Sequence, residues 1–358
     1  EIKNENSLIA DRRRKLDLLR DDGIAYPNDF RRDSLAQILH DSYDVYEDSD
    51  LRDKNVNVSV AGRMMVKRVM GKASFIKLQD HTGQIQIRLE RDHLEKDVYQ
   101  NFKKWDVGDI LGASGRLFKT KTGELTILAD KLGLLTKSLR PLPEKFHGLT
   151  DQEFRYRRRY VDLIMNEHSR NVFLCRSQII SQIRNFLDNE SYLEVETPML
   201  QNTPGGAIAK PFSTHHNALS MDMYLRVAPE LNLKRLIVGG FERVYEINRN
   251  FRNEGVSKQH NPEFTMLELY CANEYYEYLM NLFEGLLRYL AKNIVGSHKV
   301  NYQGEIYDFS KSFDRLTVED AILRFIPGLK ESRLRDLDYL QKIAELNDIP
   351  VNKNYGPG

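Results

Sequence analysis

The sequence predicts an α+β protein in which a small β-barrel precedes a domain of helices packed on a mainly antiparallel sheet. Three patterns carry this expectation. Between Val56 and Thr136, five short segments alternate apolar and polar residues and are parted by turn signals. Between Phe251 and Tyr270, two more segments of period two flank a polar loop. Elsewhere apolar residues recur at helical intervals, most clearly from Asn171 to Asn189. The expected organisation is a helical segment at 1–55, a barrel at 56–138, a hinge at 139–164 and the mixed domain at 165–358.

Composition narrows the functional classes. With 358 residues, 41% hydrophobic and 29% charged, the chain can bury a sizeable core as a globular protein. A net charge of +1 means that any nucleic-acid surface must be a local patch. Cys175 and Cys271 are the two cysteines, which excludes a disulfide framework and fits a reducing compartment. No apolar run approaches a membrane span, and the opening stretch EIKNENSLIADRRRKLDLLR has no secretory apolar core. A cytoplasmic location without membrane contact is expected.

Each element follows from local pattern. Leu8 to about Asp21 spaces Leu and Ile as a helix would, with Arg12 to Lys15 between them, and Gly23 and Pro27 stop it. A basic helix of this kind is a solvated face packed on a neighbour or, alternatively, a contact for RNA backbone. The five strands are VNVSVAGRMM, ASFIKLQD, GQIQIRLE, DILGASGRLF and GELTILADKLGLL, with turns at His81-Thr82-Gly83 and Lys121-Thr122-Gly123. Strands of this number and length fit a closed barrel of the OB type. Such barrels bind many ligands, so specific residues must speak for RNA. Phe75 offers a stacking plate unless it points into the barrel, Arg68 a phosphate or base contact, and Gln86 an amide able to read a base edge.

Pro141 and Pro143 stiffen the start of the hinge, and a charged helix with Arg155, Arg157, Arg158 and Arg159 follows as a solvated face or an RNA contact. The long helix from Asn171 leads into SYLEVETPML, a strand ending at Pro198. His215 and His216 read as loop residues with no third partner at metal spacing. Pro229 and Glu230 open a helix that runs to about Val238 and is closed by Gly239 and Gly240. An acid in that first turn complements the helix dipole.

The segment FRNEGVSKQHNPEFTMLELY is the richest in chemistry. A period of two places Arg252 and Glu254 on one face of a first strand. Beyond a loop from Gly255 to Pro262, it places Phe264, Met266, Glu268 and Tyr270 on one face of a second. A cation, an aromatic plate and two carboxylates thus converge on one surface. The alternative is an ordinary charged hairpin with its polar face in water.

These residues resemble motif 2 of the class II aminoacyl-tRNA synthetases, and the chain from Leu8 to about Gly358 is similar to the lysyl members of subclass IIb. The resemblance implies an OB-fold anticodon-binding barrel followed by a class II antiparallel-sheet catalytic domain. It implies that Arg252 holds the α-phosphate of ATP and the amino-acid carboxylate, Glu254 accepts from the adenine amino group, His260 lies near the terminal phosphates, and Phe264 stacks on adenine. Arg252 is then the catalytic residue, since a fixed guanidinium can align the two anions. Gln259 departs from the Arg that many lysyl enzymes carry there.

For the amino acid, the resemblance implies Glu230 and the Tyr270 hydroxyl on the ε-ammonium of L-lysine, and Glu268 with Gly206 on its α-ammonium. Arg68, Phe75, Gln86 and Glu124 fall where the family's barrel contacts a uridine-rich anticodon of tRNA(Lys). The helix, strand and Pro198 resemble motif 1, which implies a homodimer. ATP and Mg2+ are the implied cofactors, with no metal ligands expected in this chain. A third, glycine-rich motif is not found; GGFER at Gly239 to Arg243 precedes motif 2. The rest of the family's catalytic domain is therefore expected to lie beyond these residues, leaving the activity of the 358 residues alone open. The other readings are a protein-lysylating relative or a non-catalytic RNA-binding and dimerising fragment.

Overall fold

A computed structural model describes residues 7–23, 25–71, 73–143, 151–257, 259–326, 328–352 and 354–357. The chain divides into two units, Glu1–Glu167 and His168–Gly358.

In the first unit, helices α1 (Ser7–Asp21), α2 (Ala36–Tyr43) and α3 (Asp48–Lys54) precede the strands β1 (Asn57–Met70), β2 (Ala73–Gln79) and β3 (Gln84–Glu90). Helix α4 (Lys96–Lys104) separates these from β4 (Ile110–Lys119) and β5 (Leu125–Thr136), and α5 (Gln152–Arg157) and α6 (Arg159–Met165) follow. The strands close into a barrel in the order β1-β2-β3-β5-β4, with β3 and β5 parallel. Alternation sorts the side chains. Ile76, Leu78, Ile85, Ile87 and Leu89 are buried, while the residues between them stay partly open. Gly115 is required by the closure: a Cβ there would lie 1.9 Å from the carbonyl oxygen of Leu128 on β5. The turn after β2 is built by Asp80, whose carboxylate accepts from the backbone N–H groups of Thr82, Gly83 and Ala36.

Helices α2, α3 and α4 were not foreseen as elements; they supply Leu39, Leu51, Tyr99 and Phe102 to the barrel's core. Trp105, the only tryptophan, packs its edge against Phe102 at 6.0 Å. Helix α1 is docked by polar contacts. Arg12 donates to the carbonyls of Val107, Ser138 and Arg140, and Lys15 reaches Asp106 at 3.0 Å. Asp106 also takes Lys137, whose buried ammonium bridges to Asp109, each contact being 2.7 Å. Arg12 to Lys15 thus include docking residues. Three arginines of the hinge segment are likewise paired: Arg155 and Arg159 hold the fully buried Asp162 at 2.9 and 2.5 Å, and Arg157 holds Glu153, while Arg158 lies over the Phe154 ring. The first part of that segment, 144–150, lies outside the described residues.

In the second unit, α7 (Glu167–Asn189) leads to the two-residue strands β6 (Leu193–Glu194) and β7 (Leu200–Gln201), then β8 (Ser213–His216), β9 (Met221–Leu225), α8 (Glu230–Val238), β10 (Arg243–Phe251) and β11 (Glu263–Cys271). Helix α9 (Tyr276–Leu290), the hairpin β12 (Lys299–Tyr302) and β13 (Glu305–Asp308), and helices α10 (Val318–Phe325) and α11 (Leu337–Leu346) complete it. One sheet has the order β11-β10-β6 and another β7-β9-β8. On β10 and β11 the odd residues, Tyr245 and Ile247 with Leu267 and Leu269, pack with Ile183, Phe186 and Leu187 of α7 and Leu282 of α9. One face of the sheet is therefore closed by helices, and the even residues occupy the other.

Three expectations are corrected. Arg252 and Glu254 follow β10 rather than share its face, because the strand ends at Phe251. The Arg252 N–H still donates to the Pro262 carbonyl at 2.9 Å, but Pro262 has no N–H to return, so the ladder stops. His215 and His216 lie on β8 rather than in a loop, with His215 Nδ1 2.9 Å from Asp222 of the paired strand. SYLEVETPML forms two short strands on either side of Pro198 instead of one.

The charge pair that docks α1 has a pH signature. Burial alone would raise the Asp106 carboxyl, but Lys137 and Lys15 outweigh it and hold the group below its ordinary value. A depressed carboxylate stabilises the fold above its unfolded pKa and loses that contribution as pH falls through the folded pKa. Urea unfolding followed by Trp105 fluorescence is expected to show stability falling between about pH 5 and 3. Asp106→Asn is expected to cost about 1–3 kcal/mol at neutral pH and to flatten that acid limb. An unchanged limb in the variant would remove Asp106 from this role.

Candidate active site and barrel face

The register of β10 and β11 builds the site. Asn250 pairs with Phe264, Asn248 with Met266, Glu246 with Glu268 and Val244 with Tyr270. Directly opposed residues point to one side of an antiparallel pair, so these eight share the face opposite the one that α7 and α9 cover. Two carboxylates, Glu246 and Glu268, stand opposite one another, an arrangement that costs stability unless one is compensated. Arg226, just after β9, supplies the compensation. Its Nη1 lies 2.7 Å from Glu246 Oε1, and both side chains are essentially fully buried, at 0% and 1% exposure. Thr197, one residue before Pro198, donates its hydroxyl to Glu246 at 2.7 Å, and Asn248 donates at 3.1 Å.

At one end of this face lies a cavity of about 480 Å³ lined by Arg252, Glu254, Gly255, Gln259, His260, Asn261 and Phe264. All four residues expected at the nucleotide are thus brought together, even though three of them, Arg252, Glu254 and His260, lie between the strands. The Arg252 guanidinium lies over the Phe264 ring, 5.2 Å from its centroid. Its Nε is buried with no hydrogen-bond partner among the described residues, as are both amide atoms of Asn250. Ser257 shapes the loop: its hydroxyl oxygen accepts from the N–H groups of Gln259 and His260 and lies 2.9 Å from His260 Nδ1.

Further along β11, about 13 Å from Phe264 at the rise of a strand, stands Glu268. Tyr270 donates its hydroxyl to Glu268 at 2.7 Å. Burial, that hydrogen bond and the charges of Glu268 and Glu230 all push the Tyr270 phenol well above its ordinary value, so it remains a donor at neutral pH. Glu230 opens α8, where it pairs with Lys234 at 2.5 Å. Gly206, at φ +91°, packs against it: a Cβ there would come 3.1 Å from Glu230 Cβ. Gly206, Glu230, Glu268 and Tyr270 therefore gather around one acidic recess. Arg226, Glu246, Asn248, Asn250 and Lys234 had not been singled out as site residues. Period two from Phe264 and its partner strand would have found Asn248 and Asn250, and helical spacing Lys234. No local signal points to Arg226.

On the barrel, Arg68 pairs with Phe75 across β1 and β2, Phe75 with Arg88 across β2 and β3, and Lys77 with Gln86 in the next row. Phe75 is on the outer, partly open face rather than in the core. Gln86 donates to Thr126 Oγ1 at 3.0 Å, and Glu124 holds Lys77 at 2.8 Å. The structure thus gathers Arg68, Phe75, Gln86 and Glu124 on one surface. It adds Lys77 and Arg88, which the alternation of β2 and β3 could have supplied. Among the described residues, no helix is long and apolar enough to cross a membrane.

Comparison with known proteins covers both parts of the chain. Residues 151–350 match the family model of class II tRNA synthetases (D, K and N), and residues 58–135 match that of the OB-fold nucleic acid binding domain. The chain is 58% identical to the lysine–tRNA ligase of Thioalkalivibrio sulfidiphilus, over 99% of this chain and 71% of that protein. It is 55% identical to the lysine–tRNA ligase of Coxiella burnetii, over 100% of this chain and 72% of that one. With the lysine–tRNA ligase of Idiomarina loihiensis it shares 57% identity, over 99% and 70% of the two chains.

The buried pair beneath the site is testable on its own. Arg226→Met leaves Glu246 buried and uncompensated and is expected to lower stability by about 3–5 kcal/mol. Adding Glu246→Leu is expected to restore much of that loss in thermal unfolding followed by circular dichroism. A double variant no more stable than the single would assign the effect to packing rather than charge.

Proposed function

This chain belongs to the class II tRNA synthetases (D, K and N), and from that premise we propose that it works as an ATP-dependent lysine–tRNA ligase. The observation that carries this reading is the joint placement of an aromatic and cationic cavity and an acidic recess along one face of β10 and β11.

In the first step a carboxylate oxygen of L-lysine attacks the α-phosphorus of ATP, the bond to the bridging oxygen of the β-phosphate breaks, and pyrophosphate leaves. Two anions must meet, so the chain's contribution is alignment and charge. Arg252, with an unspent buried Nε, is suited to bridge the α-phosphate and the lysine carboxylate. Phe264 offers the adenine a stacking face, Glu254 an acceptor for its amino group, and His260 a contact for the terminal phosphates. Glu268 takes the α-ammonium with Gly206, and Glu230 with the Tyr270 hydroxyl takes the ε-ammonium. Two carboxylates at separate points of the recess favour a ligand that carries two ammonium groups. In the second step a hydroxyl of the terminal ribose of tRNA attacks the carbonyl carbon, and AMP leaves.

The family's use of ATP implies Mg2+, which shields phosphates when bound. Among the described residues no group of three His, Cys, Asp or Glu side chains could hold a metal ion. Arg68, Phe75, Gln86 and Glu124 are proposed to bind the uridine-rich anticodon of tRNA(Lys), with Phe75 stacking and Gln86 and Glu124 discriminating. A homodimer through the motif 1 segment with Pro198 is supported by Val172, Phe173 and Leu174 of α7, each about half exposed. The two free cysteines fit a cytoplasmic setting.

The test is ATP–pyrophosphate exchange with the standard amino acids, in the full-length protein. Exchange with lysine alone is expected, with Glu230→Gln raising the lysine KM about 10–100-fold and Arg252→Ala lowering kcat about 100–1000-fold. Exchange with another amino acid would overturn the lysine assignment. For the barrel, Phe75→Ala is expected to raise the KM for tRNA about tenfold while leaving exchange unchanged. A variant that charges tRNA normally would remove Phe75 from the RNA surface.

A further inference from the structure

The acidic recess already contains an ε-ammonium, that of the protein itself. Lys234 lies one turn beyond Glu230 on α8, and its Nζ is 2.5 Å from Glu230 Oε1. The same Nζ stands over the Tyr270 ring of β11, 5.9 Å from its centroid. Tyr270 in turn donates to Glu268, and Gly206 closes the backbone side of Glu230. In exposure it resembles another helix pair, Arg52 with Asp48 at 67% and 32% against 54% and 31% for Lys234 and Glu230; what sets it apart is that Lys234 also faces an aromatic ring from another element.

We infer that Lys234 is an internal stand-in for the substrate: its ε-ammonium occupies the carboxylate to which the ε-ammonium of lysine must bind, so that binding exchanges one ammonium for another. This rests on the lysine reading of the recess. The physical reason for such a device is that a partly desolvated carboxylate beside a second one, Glu268, is costly without a counter-ion. Lys234 supplies it in the empty pocket, and its tether is short enough to withdraw by rotamer change.

Two consequences have opposite signs. Lysine must displace Lys234 or share Glu230 with it, so the internal ammonium weakens lysine binding. A neutral isostere need not displace it and leaves Glu230 paired, so the internal ammonium eases entry of neutral analogues. Removing the charge should therefore tighten lysine and weaken the isostere, which a general loss of pocket structure could not do.

The experiment measures binding of lysine, and of its isostere with a methyl group in place of the ε-ammonium, by calorimetry on the full-length protein. Lys234→Met, which keeps the aliphatic stem, is expected to tighten lysine about two- to five-fold and to weaken the isostere by a similar factor. Lys234→Arg is expected to stay near wild type, because the charge is kept. Glu230→Gln serves as the control: if it leaves lysine binding unchanged, the recess is not the lysine pocket and the underlying reading fails. If Glu230→Gln weakens lysine while Lys234→Met changes neither ligand, or weakens both, the stand-in role is overturned and the recess assignment survives.

Discussion

The catalytic unit depends on the buried contact between Arg226 and Glu246. A guanidinium and a carboxylate removed from water are expensive unless each is matched, and here the match comes from three separate parts of the chain. Arg226 follows β9, Glu246 lies on β10, and Thr197 comes from the segment before Pro198. Arg226 also donates from Nε to the Arg249 carbonyl and from Nη1 to the Thr197 carbonyl. Arg226 Nη2 is buried without a hydrogen-bond partner among the described residues, and misplacing any of the three would leave further groups unpaired in the interior. The contact therefore sets the distance between the central strand and its neighbours, and with it the shape of the face on which Phe264 and Glu268 stand.

The same contact governs the electrostatics of the site. Glu246 and Glu268 are directly opposed across the ladder, yet their environments differ. Glu246 is spent on Arg226, Thr197 and Asn248, whereas among the described residues Glu268 takes the hydroxyl of Tyr270. One carboxylate is structural, and the other is the one proposed for an incoming ammonium. The division follows from which of the two can reach Arg226. The floor under the nucleotide cavity is similarly unfinished: Asn250 and the Nε of Arg252 are buried without partners among the described residues, an arrangement more costly than a surface would bear. Unspent buried donors are what a site for an anionic ligand requires.

The barrel solves a different problem with the same logic of faces. Its interior is closed by alternating apolar residues and by Gly115, where only a hydrogen leaves room for the neighbouring carbonyl. That rigidity holds Phe75, Gln86 and Lys77 in fixed rows on the outside. Three added helices bury Leu39, Leu51, Tyr99 and Phe102 and so relieve the strands of supplying the whole core. The outer face is then free for polar and aromatic side chains of other use.

Much of this was legible in the sequence because alternation and helical spacing are properties of near neighbours. The five strands, the α8 helix with its closing glycines and the shared face of Phe264, Met266, Glu268 and Tyr270 follow from residues a few positions apart, whereas alternation alone leaves open which side of the barrel Phe75 takes. Even the small error at Arg252 has a local cause, since Pro262, the partner that ends the ladder, is visible in the sequence but its register is not. What only the tertiary structure decided is which distant groups meet. Nothing near Arg226 announces Glu246, nor near Thr197 that it will bond both, because the path of the intervening chain brings them together. Likewise spacing alone offers Glu230 and Lys234 as a helix pair, and only the packing of α8 against β11 turns that pair toward Tyr270. Local pattern determines which face a side chain takes, while the partner it finds there depends on chain closure over tens of residues, for which no short-range preference is enough.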